Sequence, residues 1–468
     1  MMKHVLICLL CLSSTFSFAQ DPPEVLTLAE YLGYVKTFHP VVKQARLIAS
    51  EGEAKLMESR GAFDPKLEVD FSKKEFKGSS YYNQLNTAFK IPTWYGIELK
   101  AAYENNDGLY LSPEKTVPDD GLFGVGVSVS LMRDLLINKR MALLKQARLY
   151  VKQAKAEQQL QVNQILYEAA LSYFKWLQSY NEKKVYEAFL ENAQFRFDGI
   201  KKSYESGELP AIDTLEARIT LNTRKLNLEK ARITYVKSGL ALSNFLWLND
   251  NTPVELREQM IPDVEAGNTV DTVLNTSALD MEQLDLSVHP KLQALDYKLQ
   301  GLNLERKLKM NALLPRIDLQ YQFLSETPEL ASSFNTMNYK SGLQVNFPLF
   351  LRKERGALRL ANLKMQNMEF DIAVNRVSLR NKIDALNQEL ASYVNQTKYT
   401  EVIVADYQTM LEAEERKFFL GESALFLVNT RESKLIDAKL KAIELETAFN
   451  NTKAALYNVL ARPEPDMP

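Results

Sequence analysis

The chain has 468 residues, with 57 basic and 59 acidic side chains, a formal net charge of -2 and 46% hydrophobic residues. This charge excludes the strongly basic surface that binding to nucleic acid requires, and the hydrophobic content excludes a disordered chain. Only 17 Gly and 17 Pro are present, so few residues interrupt regular structure and long elements are expected.

Residues 1–19 have the pattern of a secretory signal peptide. Lys3 precedes an apolar run over residues 5–12, and Ser17 and Ala19 are the small residues expected before a cleavage site. Both cysteines lie in this segment, so the mature chain is expected to lack thiols for disulfides or metal sites. Beyond it no apolar run reaches the roughly 18 residues of a spanning helix, so a membrane form would have to be a β-barrel.

Two tandem copies of one pattern follow. His39-Pro40 recurs as His289-Pro290, 250 residues later (289 − 39), and Pro65 recurs as Pro315 at the same spacing. We predict two structural repeats, 20–248 and 277–462, joined by a connector over 249–276 that contains Pro and Gly and has no clear period. Residues 463–468 are a short tail.

Each repeat is predicted to open with a capped short helix. Thr27 and Ser277 are N-cap residues, each followed three positions later by a carboxylate. A second helix then starts at each His-Pro pair. His39 and His289 have no Cys or second His near them, so helix capping is favoured over a metal site, and no metal or other cofactor is expected.

Short stretches with period two follow the His-Pro helices. Apolar and polar residues alternate over 67–71 and 125–131 in the first repeat, and over 317–323 and 343–347 in the second. One apolar and one polar face suits a barrel with lipid outside and water inside, although a soluble sandwich would show the same alternation. So few strands could not bury a sandwich core, but they could form one sector of a shared barrel within the strand regions 65–131 and 315–348.

The first repeat carries an additional segment between its strands. Residues 85–91 and 97–103 also alternate, and Trp94 and Tyr95 lie between them. One interpretation is an added hairpin whose aromatic turn lies at a membrane interface, and the other is a long extracellular loop with β character. The sequence does not decide whether each chain has four or six strands.

Long helices complete each repeat. Residues 138–206 contain no proline and one glycine, and residues 352–461 contain no proline and two glycines. Apolar residues with heptad spacing in both stretches indicate helices that pack side by side. Gly207 and Gly421 are expected to end a helix in the left-handed conformation, which predicts long antiparallel helical hairpins over 133–248 and 352–462.

This order of elements resembles the TolC-like outer membrane efflux protein family. The resemblance rests on the duplicated proline at the helix-to-strand junction (62–65 and 313–315), the Phe347-Pro348-Leu349-Phe350 strand end, and the glycine turns. It implies a mainly α fold with a β-barrel sector, in which long helical hairpins form an α-barrel. It also implies a homotrimer in which each protomer gives four strands to one twelve-stranded transmembrane barrel. The expected partners are outer membrane lipid, a periplasmic adaptor and an inner membrane pump, and the cargo cannot be read.

The resemblance also implies a periplasmic gate of acidic residues near the hairpin turns. The family has aspartates six and nine residues after the second glycine, but this chain has Leu427 and Thr430 there. The equivalent positions of the first hairpin are Asp213 and Glu216, which are therefore the gate candidates. The alternative is that these carboxylates only stabilise the first turn of a helix.

The turns themselves are candidates for adaptor docking. Gly207, Leu209 and Gly421 would form the tips of the hairpins, and Leu209 is an apolar residue where an exposed position is expected. The alternative is that both glycines serve as helix caps alone.

No catalytic motif is found, so an enzyme is not expected. The favoured function is a passive outer membrane conduit for export, by tripartite efflux or type I secretion. Two other classes remain at this level. A structural or adhesive periplasmic coiled coil anchored in the outer membrane would not need duplicated strand pairs, and a porin-type uptake barrel would lack the long helices.

Overall fold

The computed structural model describes residues 24–257, 259–275, 285–328 and 335–461. The predicted signal peptide, the Ser277 cap and the tail lie outside the described residues. The first half contains β1 (Val25–Leu26), α1 (Leu28–Phe38), α2 (Pro40–Gly61), β2 (Lys66–Phe76), β3 (Ser79–Pro92), β4 (Ile97–Asp107), β5 (Leu122–Met132), α3 (Lys139–Glu205) and α4 (Ala211–Ser243). Then follow β6 (Ile261–Pro262), α5 (Ala266–Val273), α6 (Pro290–Asn311), β7 (Arg316–Ser325), β8 (Tyr339–Asn346), α7 (Arg352–Phe419) and α8 (Leu425–Leu460).

The helix starts follow local sequence signals. Thr27 and Glu30 form a reciprocal capping box at α1. The Nδ1 atom of His39 accepts a hydrogen bond from the Val41 amide at 3.2 Å, and that of His289 accepts one from the Lys291 amide at 3.1 Å. The predicted capping role of both histidines is confirmed, and each proline occupies the first helical position, where no amide hydrogen is needed.

Two helical hairpins account for most of the length of the molecule. Helices α3 and α7 have 67 and 68 residues, so each is about 100 Å long at 1.5 Å per residue. Their partners α4 and α8 are shorter, at 33 and 36 residues. The remaining length of α3 and α7 is accompanied by α2 and α6, and α3 also packs on α8, which joins the two hairpins.

The long strands form one antiparallel sheet of six, in the order β2-β3-β4-β5-β7-β8. Strands β3 and β4 arise from the additional segment of the first repeat, so that segment is a hairpin within the sheet rather than a loop. The described part of the chain thus gives six strands to this sheet, which decides between the four and six that the sequence left open and departs from the four of the family pattern. Trp94 and Tyr95 lie in the turn that joins β3 to β4.

The main core lies where the two halves meet, beside the middle of α3. Tyr31, Tyr173 and Trp176 are fully buried there. The predicted connector contributes β6 and α5. Strand β6 pairs in parallel with β1. The hydroxyl of Tyr173 donates to the Leu26 carbonyl at 2.8 Å and accepts from the Asp263 amide at 3.2 Å, so one buried side chain holds both short strands.

None of the described helices has a stretch that is both long and apolar enough to cross a membrane.

The His289 cap predicts a pH dependence of stability. Burial is the main cause that lowers the pKa of His289, and the charge of Lys291 lowers this pKa further. The Val459 carbonyl, which lies 2.8 Å from Nε2 of His289, raises the pKa in part. The folded ring therefore stays neutral at a pH where the unfolded ring, with a pKa of about 6.5, binds a proton. We expect the free energy of unfolding to decrease as pH falls below about 6.5.

Denaturant titration in detergent at about pH 7.5 and about pH 5.5 measures this loss, since the two values bracket the unfolded pKa. His289→Asn preserves an N-cap acceptor but does not titrate, so the variant should lose less stability over this range. Equal losses in the wild type and the variant would contradict the assignment. His39→Asn is a useful companion, because burial lowers the pKa of His39 as well.

Candidate functional site

The six-stranded sheet exposes its apolar face. Leu67 on β2 is 67% exposed and Leu343 on β8 is 65% exposed, although both belong to the regular apolar alternation of their strands. On the other face the amide side chains of Gln84, Asn106 and Gln322 are buried. This distribution is the reverse of that in a water-soluble sheet, where the apolar face is covered.

The polar face is concave. Lys340 Nζ on β8 lies 3.7 Å from a carboxylate oxygen of Glu104 on β4, although β5 and β7 lie between these two strands. In a flat sheet strands three positions apart are about 14 Å from each other, at about 4.8 Å per strand. The side chains can meet because the sheet curves towards its polar side. Lys90 and Glu68 form a second ion pair on this face, at 2.6 Å.

Trp94 and Tyr95 lie at the end of the sheet that joins the helices. The ring of Trp94 stacks on Phe63, which follows α2, with ring centroids 5.6 Å apart. Its carbonyl accepts a hydrogen bond from Asn138, the N-cap residue of α3, at 3.1 Å. Tyr95 is exposed. The aromatic pair therefore marks the boundary between sheet and helices, and its role at a membrane interface stays a prediction.

The two hairpin tips have the same backbone design. Gly207 and Gly421 have φ values of +83° and +80°, in the left-handed region that favours glycine. The amide of Glu208 donates to the Ser203 carbonyl at 2.9 Å, and the amide of Glu422 donates to the Lys417 carbonyl at 2.9 Å. These six-to-one hydrogen bonds define a Schellman cap at the end of α3 and of α7.

The apolar residues exposed at the tips do not include Leu209, which the sequence indicated as an exposed apolar residue. Leu209 is half-buried against the small cluster of Ile200, Ala217 and Leu425, so part of its surface is already covered. Phe419 is 90% exposed, and Leu420 and Phe426 are also exposed. Sequence reasoning missed these three residues, although their position beside Gly421 was a usable signal.

The two gate candidates have different surroundings. Asp213 lies in the first turn of α4, where a carboxylate favours the helix start. Glu216, one turn later, accepts a hydrogen bond from the Asn429 amide group of α8 at 3.0 Å. Glu216 thus links the two hairpins within the protomer, and a gate formed by both residues stays a prediction.

A buried ionic cluster, not found from the sequence, lies close to these residues. Glu432 on α8 is fully buried, and its Oε2 lies 2.8 Å from Arg196 on α3 and 3.7 Å from Arg224 on α4. Arg196 also contacts Glu415 on α7 at 2.9 Å. All four long helices are therefore joined by one network of charges. Within the described residues no group of three or more His, Cys, Asp or Glu could hold a metal ion.

An inverted, curved sheet continued by long helical hairpins is typical of a membrane channel with a helical extension. A model of the outer membrane efflux protein family matches residues 102–246 and 283–462, which is more than half of the chain. The chain therefore belongs to this family, as the sequence resemblance predicted. No curated protein sequence matches it.

Solved structures show the same fold. The CmeC outer membrane channel of Campylobacter jejuni is 13% identical, with a TM-score of 0.63 over 96% of this chain and 90% of that one. The MtrE outer membrane channel of Neisseria gonorrhoeae is 13% identical, with a TM-score of 0.64 over 96% and 94%. The outer membrane protein VceC of Vibrio cholerae is 12% identical, with a TM-score of 0.65 over 93% and 96%. The predicted combination of helical hairpins and barrel strands is thus confirmed.

The buried cluster predicts a large effect of a single charge. Glu432→Gln should lower the free energy of unfolding by about 3–5 kcal/mol, because it leaves Arg196 and Arg224 without their buried counter-ion. Glu444→Gln on the same helix removes an exposed partner of Lys441, 2.7 Å away, and should cost less than about 1 kcal/mol. Denaturant titration of both variants measures the difference. Equal losses in the free energy of unfolding would show that the buried ion pairs contribute no more to stability than the exposed one.

Proposed function

We propose that the chain is the subunit of a homotrimeric outer membrane channel that extends into the periplasm and acts as a passive conduit. The observation that carries this proposal is the sheet, whose convex face is apolar and whose concave face is polar. Lipid suits the convex face and water suits the concave one. Hairpins of about 100 Å could then extend far from the membrane.

Trimer formation is supported by an unpartnered stripe on α4. Its residues share heptad spacing, are apolar and are exposed in the protomer. They are Ile212, Ile219, Leu226, Ile233 and Leu240. Heptad stripes of this kind normally insert into another helix. A second copy is the partner that we propose, because a closed ring of copies would cover the stripe on every α4.

The hairpin tips are the proposed contact with a periplasmic adaptor, through which an inner membrane pump would deliver cargo in a tripartite efflux or secretion system. Phe419, Leu420 and Phe426 offer exposed apolar surface beside Gly421. Gly207 and Leu209 lie at the neighbouring tip. Asp213 and Glu216 could add an acidic ring inside these tips. The wall of polar groups would let cargo pass without holding it.

The α4 stripe gives a test of the trimer. Ile219→Ser with Ile233→Ser should abolish heat-modifiable trimers in outer membrane fractions, because two apolar contacts per interface are lost. Arg218→Ser with Arg232→Ser changes exposed neighbours outside the stripe and should leave the trimers intact. A soluble, monomeric wild-type protein in the periplasm would contradict the proposal and favour a structural or adhesive coiled coil.

The tips give a separate test of adaptor docking. Phe419→Ser with Phe426→Ser should reduce crosslinking to the adaptor and export by at least about tenfold, because each change removes exposed apolar contact area, while trimers persist. Leu109→Ser with Met337→Ser removes two exposed apolar residues at the far end of the sheet, and export should be unchanged. Unaltered crosslinking in the tip variant would exclude these phenylalanines from docking.

A further inference from the structure

The hairpin of β3 and β4 is an integral part of the sheet. Strand β3 pairs with β2 over eleven residue pairs and with β4 over ten, and β4 pairs with β5 over eight. Direct pairing of β2 with β5, which a two-stranded first repeat requires, does not occur in the described sheet. The added hairpin therefore lies between the two strands that would otherwise be neighbours.

The inserted strands also continue the two faces of the sheet. In register, Leu67 on β2 lies opposite Phe89 on β3, Phe89 opposite Ala101 on β4, and Ala101 opposite Val125 on β5. On the other face, Lys66 on β2, Lys90 on β3 and Lys100 on β4 lie in register. Lys90 also forms a diagonal ion pair with Glu68 on β2. A loop resting on the outside of a barrel would have no reason to match the alternation of the wall residue by residue.

The two edge strands of the sheet, β2 and β8, run in opposite directions and can pair with each other between copies. Strand β2 runs away from the helices and β8 runs towards them, and neither has a second neighbour in the described residues. An edge strand in lipid leaves backbone groups without hydrogen bonds, which is strongly unfavourable. Strand β8 of one copy can pair in antiparallel fashion with β2 of the next, and this repeats the pairing found throughout the sheet.

We infer that three copies close a barrel of eighteen strands, six from each, with the β3–β4 hairpin in its wall. This inference rests on the proposed homotrimer. At a strand spacing of about 4.8 Å and a tilt of about 40°, eighteen strands give a backbone diameter of about 36 Å, against about 24 Å for twelve. The cross-section inside the backbone is then about twofold larger than in a twelve-stranded barrel with the same tilt.

Cysteine crosslinking in outer membranes tests the strand order. Ala101→Cys with Val125→Cys places thiols on directly paired residues of β4 and β5, within reach of a disulfide, and oxidation should link them. Leu67→Cys with Val125→Cys is the matched pair, because these residues are at the same level but about 14 Å apart through two intervening strands. This second pair should stay unlinked. Linkage of the second pair with no linkage of the first would overturn the inference.

A strand count on the wild type gives an independent decision. Electron cryomicroscopy of trimers in nanodiscs should show eighteen strands, and twelve would overturn the inference while leaving the channel proposal intact. If the membranes contain no trimer, it is the proposed function that fails. Deletion of residues 79–107 removes β3 and β4 and leaves β2 joined through a loop to β5, so trimers of this variant should exclude smaller polymers than the wild type does.

Discussion

The structure depends on the hydrogen-bonding needs of a sheet whose faces are inverted. Strand β5 presents Val127 on the convex side and Ser128 on the concave side, and its neighbours repeat this order. In water the convex face would be exposed apolar surface and the two edges would be open to aggregation. A closed ring of copies surrounded by lipid would cover the apolar face and would leave no strand edge without a partner. A closed ring of copies, which we propose to be a homotrimer, would meet this constraint, because the described part of a single chain supplies six strands and two open edges.

In the proposed homotrimer the helices extend the same ring away from the sheet. Each half of the chain supplies one hairpin, and the halves are joined at two levels. The aromatic core around Tyr173 and Trp176 joins them at mid-length, and the buried Glu432 with its two arginines joins them near the tips. Burial of an ion pair adds little net stability but strongly penalises any arrangement that separates the charges. The cluster therefore fixes the register of the hairpins near the end where cargo is proposed to enter.

Local signals in the sequence predicted much of this fold. His39, His289, Gly207 and Gly421 act through their own backbone neighbourhoods, so their positions as caps and turns could be read directly. Strands β3 and β4 remained ambiguous because a barrel strand and an extended loop can share one alternation. Contacts between distant segments could not be read at all. Arg196 and Glu432 are 236 positions apart, and the register that joins them is set by helix packing. The same packing decides that Leu209 is half-buried and Phe419 exposed.

The two sheet faces are proposed to lie in different environments, the apolar face in lipid and the polar face in water, and chemical labelling tests this directly. The only two cysteines of the sequence are at positions 8 and 11, so single cysteines can be placed on β5 and labelled in outer membranes. Ser128→Cys should react with a water-soluble, membrane-impermeant maleimide that reaches the lumen, whereas Val127→Cys should react only with a reagent confined to lipid. Equal reaction of both variants with the water-soluble reagent, or the reverse order, would contradict the account.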